Sequence, residues 1–178
     1  LSNVFISEEK RRQLQKNIIL SHSAGVGEAF QEEVVRAIML LRINGLAQGH
    51  TGIQFRTLTN SKEMLNKGVH PVIPEKGSVG ASGDLAPLAH MALVLIGEGK
   101  AVYKGRVLSG KQAMRAADIA ITRLDAGEGL SLVNGTQVMT GIGALAVHDS
   151  IRLLKTADIA AGMSLEVLLG SNIELNEK

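Results

Sequence analysis

No cysteine and no tryptophan occur in this sequence, and aromatic residues amount to one Tyr and three Phe among 178 residues. Without cysteine there is no disulfide frame, no thiolate nucleophile and no thiolate metal knuckle. That absence fits a reducing, cytoplasmic setting. An interior without large rings is filled by Leu, Ile, Val, Ala and Met, which favours helix packing over strand-rich architectures. Charge of one sign is also missing: 19 Lys and Arg against 17 Asp and Glu leave a formal +2. The basic residues are scattered and form no stripe, so no nucleic-acid partner is expected. No apolar run approaches the eighteen or so residues of a membrane span, and Leu1-Ser2-Asn3-Val4 has no signal-peptide character, so no membrane partner is expected. His50, His70, His90 and His148 fall at no metal-ligand spacing, so no metal site is expected. Gly25-Val26-Gly27 lacks the third glycine of a dinucleotide fingerprint.

What is present is apolar and periodic. Hydrophobic residues make up 45% of the chain, enough to build one or two globular cores. Ser7 with Glu8 and Glu9 opens a first helix that runs through Leu14, Ile18 and Leu20 to the break at Gly25. Phe30, Val34, Val35, Ile38, Met39, Leu41 and Ile43 predict a second over 28–44, with Gly45 as its left-handed cap. A third covers 55–66 and closes at Gly68, and a fourth covers 85–96 and closes at Gly97. The segment with Pro71 and Pro74 reads as the least regular loop. Ala101 to Leu108 predicts a small hairpin about Lys104-Gly105, and Ser109 caps a short helix to Ala117. Asp125 to Gly129 reads as turns. From Thr136 to about Leu169 the chain predicts one long helix, apolar round most of its circumference and therefore buried. At roughly 50 Å it is too long for so small a core and calls for partners. The fold class is thus mainly α with one small β-hairpin, organised as a helical region over 1–130 and a long bundle helix over 131–178 with no clear linker.

The chemistry is concentrated in Gly77-Ser78-Val79-Gly80-Ala81-Ser82-Gly83-Asp84-Leu85-Ala86-Pro87-Leu88-Ala89-His90. Gly83 has no side chain, so its nitrogen can approach the carbonyl of Ala81. Ser82 between them carries a β-hydroxyl that can leave as water. Condensation would give a five-membered ring with a conjugated methylene, an electrophile that needs no external cofactor. Asp84 is placed to cap the following helix, and Pro87 is tolerated in its first turn. The helix end would face the ring and polarise it. Taken alone, Ala-Ser-Gly also reads as a turn between helices or as a backbone nest for phosphate. His22, in Ser21-His22-Ser23-Ala24-Gly25, reads alone as a helix-terminal imidazole. Asn134, in Val133-Asn134-Gly135-Thr136, reads alone as a turn residue. Ser82 lacks the Gly-x-Ser-x-Gly elbow of a hydrolase.

The fourteen residues from Gly77 to His90 resemble the signature of the histidine and phenylalanine ammonia-lyase family. The resemblance implies that Ala81, Ser82 and Gly83 form 4-methylidene-imidazol-5-one and that no other cofactor is needed. It implies that Asn134 is an active-site residue near the electrophile and the substrate carboxylate. The Ser21-His22 pair is similar to that of histidine-specific members, where phenylalanine-specific members carry an apolar pair, so His22 is implied as the contact to the substrate ring. The implied reaction is non-oxidative elimination of ammonia from L-histidine to give trans-urocanate, in a homotetramer with a central helical bundle. The family's catalytic base is a Tyr upstream of this sequence and further binding residues lie downstream; Tyr103 does not match that motif. The chain, which lacks an initiator Met and covers about a third of a family member, is therefore expected to be an inactive piece, in which the ring itself need not form. The alternatives are a lyase or aminomutase acting on phenylalanine or tyrosine, and a non-catalytic helical module holding an anion near Gly77 to Gly83.

Overall fold

The computed structural model describes residues 6–175, so Leu1 to Val4, read above for signal character, lie outside the described residues. The chain divides into two compact units, Leu1–Ile142 and Gly143–Lys178. The first carries everything that positions the tripeptide.

Its centre is a helix whose sequence is polar only at His90. Apolar nearly all round, Leu85–Leu95 (α4) has to be enclosed. Pro87, Leu88, Ala89 and every residue from Met91 to Leu95 are buried. Gly97, at φ 81, turns the chain away, as its sequence position predicts. Glu8–His22 (α1) packs on α4, with Ile19 as its fully buried residue while Leu20 faces out. Glu32–Ala47 (α2) presents Val35, Ile38, Met39, Arg42 and Leu46 to the core at helical spacing. Phe55–Asn66 (α3) packs on α2 and ends at Gly68, φ 72.

The second helix departs from its expected bounds at both ends. Val26–Ala29 (β1) is taken up in an antiparallel pair with Pro74–Lys76 (β3), and the Phe30 N–H donates to the Ile73 carbonyl at 2.9 Å. The helix therefore begins at Glu32, not at 28. Gly45 does not cap it. A Cβ there would lie 3.2 Å from Gln137 Nε2, so this glycine serves close packing inside the helix, and the left-handed turn comes at Gly49, φ 76.

The Pro71 to Pro74 stretch is not irregular either. His70–Pro71 (β2), Lys100–Tyr103 (β4) and Arg106–Ser109 (β5) form an antiparallel sheet in the order β2-β4-β5. The expected hairpin is present, with Lys104 at φ 49 and Gly105 at φ 74, the paired positive angles of a primed turn. Gly110–Ala116 (α5) opens with a complete capping box between Ser109 and Gln112. The turn-rich approach at Asp125 instead leads into a helix, Glu128–Val133 (α6), entered through Gly127 at φ 88.

Gln137–Val167 (α7) is the long helix the sequence predicts, and this chain by itself covers little of it. Only Val138 and Gly141 of its residues are buried, and Met139, Val147, Ile151, Leu154, Ile159 and Met163 are exposed. Glu128–Val167 also contains an eighteen-residue window of mean hydropathy 1.3, apolar and long enough to cross a membrane by composition. Reading only unbroken apolar runs overlooks it, because charged residues interrupt each run.

Candidate active site

Ala81 and Ser82 are exposed, whereas Gly83 and Asp84 are buried. Gly83 is at φ 141, in backbone space that essentially only glycine occupies. A Cβ at Gly83 would stand 2.7 Å from Asn134 Oδ1 and 2.9 Å from both N and O of Gly135. The tripeptide is therefore pressed against the joint between α6 and α7, and Asn134 is brought to it from a position remote in sequence. The Asp84 N–H donates to the Gly135 carbonyl at 2.7 Å, which pins the two segments together.

Asp84 stands at the N-cap of α4 but makes no side-chain bond to its own helix, contrary to expectation. Its carboxylate is spent elsewhere. Oδ1 accepts from Ser78 Oγ at 2.5 Å and Oδ2 accepts from the Met139 N–H at 2.9 Å. Asp84 thus fills a free donor in the first turn of α7, where a negative charge also answers the positive helix end.

His22 reaches the same place from the other side. Its Nδ1 lies 2.8 Å from the Ile18 carbonyl, which can only accept, so Nδ1 carries a proton, and in the neutral ring Nε2 is then the acceptor. An open cleft of about 340 Å³ is lined by His22 and Ser21 on α1 and by Ala81, Ser82 and Gly83. Asn134 is exposed beside Gly83 without being part of that cleft's wall. Tyr103, on β4, does not line it either.

Two supports escaped sequence reasoning. The Gly25 N–H donates to His90 Nε2 at 3.1 Å, so α4, which begins at the tripeptide, also holds the turn that follows His22. Burial holds His90 below the ordinary histidine range, and the neutral imidazole is the form that accepts this bond. Arg42 is buried in the apolar face of α2 and reaches the α6–α7 joint: Nη1 donates to Gln137 Oε1 at 2.8 Å, and Nη2 to the carbonyls of Ser131 and of Asn134, the latter at 3.1 Å. The available signal was a lone cation at core spacing between Met39 and Leu46.

The family model for aromatic amino acid lyases matches residues 1–178. The chain belongs to that family. Among aromatic amino acid lyases it is 59% identical over 169 residues to histidine ammonia-lyase of Alkaliphilus oremlandii, covering 95% of this chain and 33% of that protein. The crystal structure of histidine ammonia-lyase from Trypanosoma cruzi matches with a TM-score of 0.92 at 38% identity, over 98% of this chain and 34% of that one. Ergothionase from Treponema denticola, solved with desmethyl-ergothioneine sulfonic acid, matches with a TM-score of 0.92 at 32% identity, over 98% and 35%. The chain thus spans about a third of the length of the relatives it matches.

The residues present fit the family's prosthetic ring. The middle hydroxyl is exposed, the third residue is a glycine at an angle that side chains avoid, and no atom could be added to it without striking Asn134 or Gly135.

Proposed function

We propose that this chain belongs to an enzyme that eliminates ammonia from L-histidine to give trans-urocanate. The observation that carries the reading is that His22, with a free ring acceptor, and Ser82 line one cleft. A 4-methylidene-imidazol-5-one condensed from Ala81, Ser82 and Gly83 would supply an electrophilic methylene that draws electron density from the substrate and turns its amine into a better leaving group. His22 Nε2 accepts the ring N–H of an imidazole, a bond that a phenyl ring cannot make; this favours histidine over phenylalanine. Asn134 contributes an amide that can both donate and accept at the substrate carboxylate. Asp84 holds its own N–H and the first turn of α7 in place, so that Gly83 keeps its compressed angle.

The proton acceptor for the substrate's β-carbon is not supplied here, since Tyr103 lies away from the cleft, so the chain by itself is inactive. Exposure along α7 supports assembly into a homotetramer through a central bundle. The cysteine-free sequence suits a cytoplasmic enzyme.

The full-length protein should convert histidine to urocanate, followed by absorbance, and its tryptic peptide Gly77–Lys100 should have lost two waters. His22→Leu should abolish the preference for histidine. An active protein whose peptide keeps both waters would overturn the reading. So would one that binds phosphate with stabilisation but releases no urocanate, which would favour an anion-binding module.

A further inference from the structure

Arg42 has no task in the mechanism above. A buried guanidinium normally answers a carboxylate, and here its acceptors are two main-chain carbonyls and one side-chain amide. Its Nε is buried with no partner. Burial pushes its pKa down to about 10, so it stays charged at neutral pH. A charge placed at this cost in the apolar face of α2 has to act on what it touches. It touches the last turn of α6, the backbone of Asn134 and the first residue of α7. Room is made for it as well: a Cβ on Gly135 would overlap both Arg42 Nη1 and Gln137 Oε1. The opposite side of the joint is gripped by Asp84, through the Gly135 carbonyl and the Met139 N–H.

We propose that Arg42 is the positioning residue for Asn134: its guanidinium clamps the α6–α7 joint so that the Asn134 amide rests against Gly83. This rests on the histidine-eliminating reading of the site. A shift of about 1 Å in a group that must meet the reacting atoms costs roughly 10²-fold in rate, and that is the loss expected in kcat for Arg42→Gln in the full-length protein. The loss acts through Asn134, so Arg42→Gln should add almost nothing in an Asn134→Ala background. The Gly77–Lys100 peptide should still have lost two waters, because Asp84 keeps its hold on the Gly135 carbonyl and the Met139 N–H. Arg42→Lys keeps the charge but cannot reach all three acceptors, and it should lose less, with the same dependence on Asn134; it replaces Arg42→Gln should that variant not fold.

Wild-type kcat in both variants overturns the proposal, and so does a loss that multiplies in full with that of Asn134→Ala. A wild-type protein that releases no urocanate would instead sink the functional reading. The clamp is then judged without turnover: hydrogen exchange across residues 130–139 should rise in Arg42→Gln, and unchanged exchange overturns it.

Discussion

Gly83→Ala is the sharpest perturbation of the site, because the added methyl meets three atoms of unequal freedom. Asn134 Oδ1, at 2.7 Å from the new Cβ, belongs to a side chain and could swing away; Gly135 N and O, each at 2.9 Å, are backbone. They cannot retreat. The Gly135 carbonyl is tied to the Asp84 N–H at 2.7 Å, and Arg42 Nη1 and Gln137 Oε1 occupy the space on the far side of Gly135. A side chain at φ 141 adds strain of about 1–3 kcal/mol, and overpacking adds about 1–3 kcal/mol more.

The sum, about 2–6 kcal/mol, lowers the population of the compressed loop by a factor of roughly 30 at the least. The loop should move out instead of absorbing the methyl. In the full-length variant the Gly77–Lys100 peptide should keep both waters, and urocanate release should fall by at least roughly 30-fold. A peptide that has lost two waters, together with a wild-type rate, would refute the reasoning, since it would show that the glycine's angle and crowding do not govern condensation.

Glu128 is fully buried and accepts from the Gln54 N–H and Thr57 Oγ1 on one oxygen and from the Asp125 N–H on the other. Glu128→Gln turns one acceptor into a donor facing a donor and should cost about 1–3 kcal/mol, read from the urea midpoint of the full-length protein; an unchanged midpoint would contradict it. Burial holds His70 and His90 below the ordinary histidine value of 6.5. The unfolded chain therefore takes up protons first, so stability is complete above that value and declines as the pH falls below it. The urea midpoint should be lower at about pH 5.5 than at about pH 7.5, and His90→Gln, which keeps an acceptor for the Gly25 N–H, should shrink the difference; a flat profile would count against both assignments. Asp84→Ala removes the acceptor of both the Ser78 hydroxyl and the Met139 N–H and should cost about 1–3 kcal/mol in the same assay, against no change if the first turn of α7 satisfies itself.

Much of the fold is legible because periodicity is local. Leu85 to Leu95, the Lys104-Gly105 hairpin and the Ser109 cap each carry their signal within a few residues. The failures share a cause as well. Gly45 reads as a helix end until Gln137, remote in sequence, is seen to need its space. Glu28 and Ala29 read as the start of a helix because Pro74–Lys76, the strand that pairs with Val26–Ala29, is not adjacent in sequence. The apolar faces of α7 stay exposed because apolar periodicity reports what a helix would bury, and not whether this chain holds the partner. At the site, the tripeptide is legible as potential chemistry, whereas Arg42, His90 and the carboxylate of Asp84 act through residues that no local pattern connects to them.

Asp84 shows why these long-range links bear on chemistry. Its carbonyl begins α4 by accepting from the Leu88 N–H at 3.1 Å, its N–H holds the Gly135 carbonyl, and its carboxylate fills the Met139 N–H on α7. The residue next to the tripeptide therefore joins two helices whose contact points are 55 residues apart. Nothing between Gly77 and Gly83 alone holds Gly83 at its compressed angle; Asn134 and Gly135 do. On the proposed reading of the site, condensation is thus a tertiary property that requires α6 and the start of α7 to be docked. A synthetic peptide of residues 77–100, free of those segments, has the same three residues and should keep both waters indefinitely, while the folded full-length protein should not.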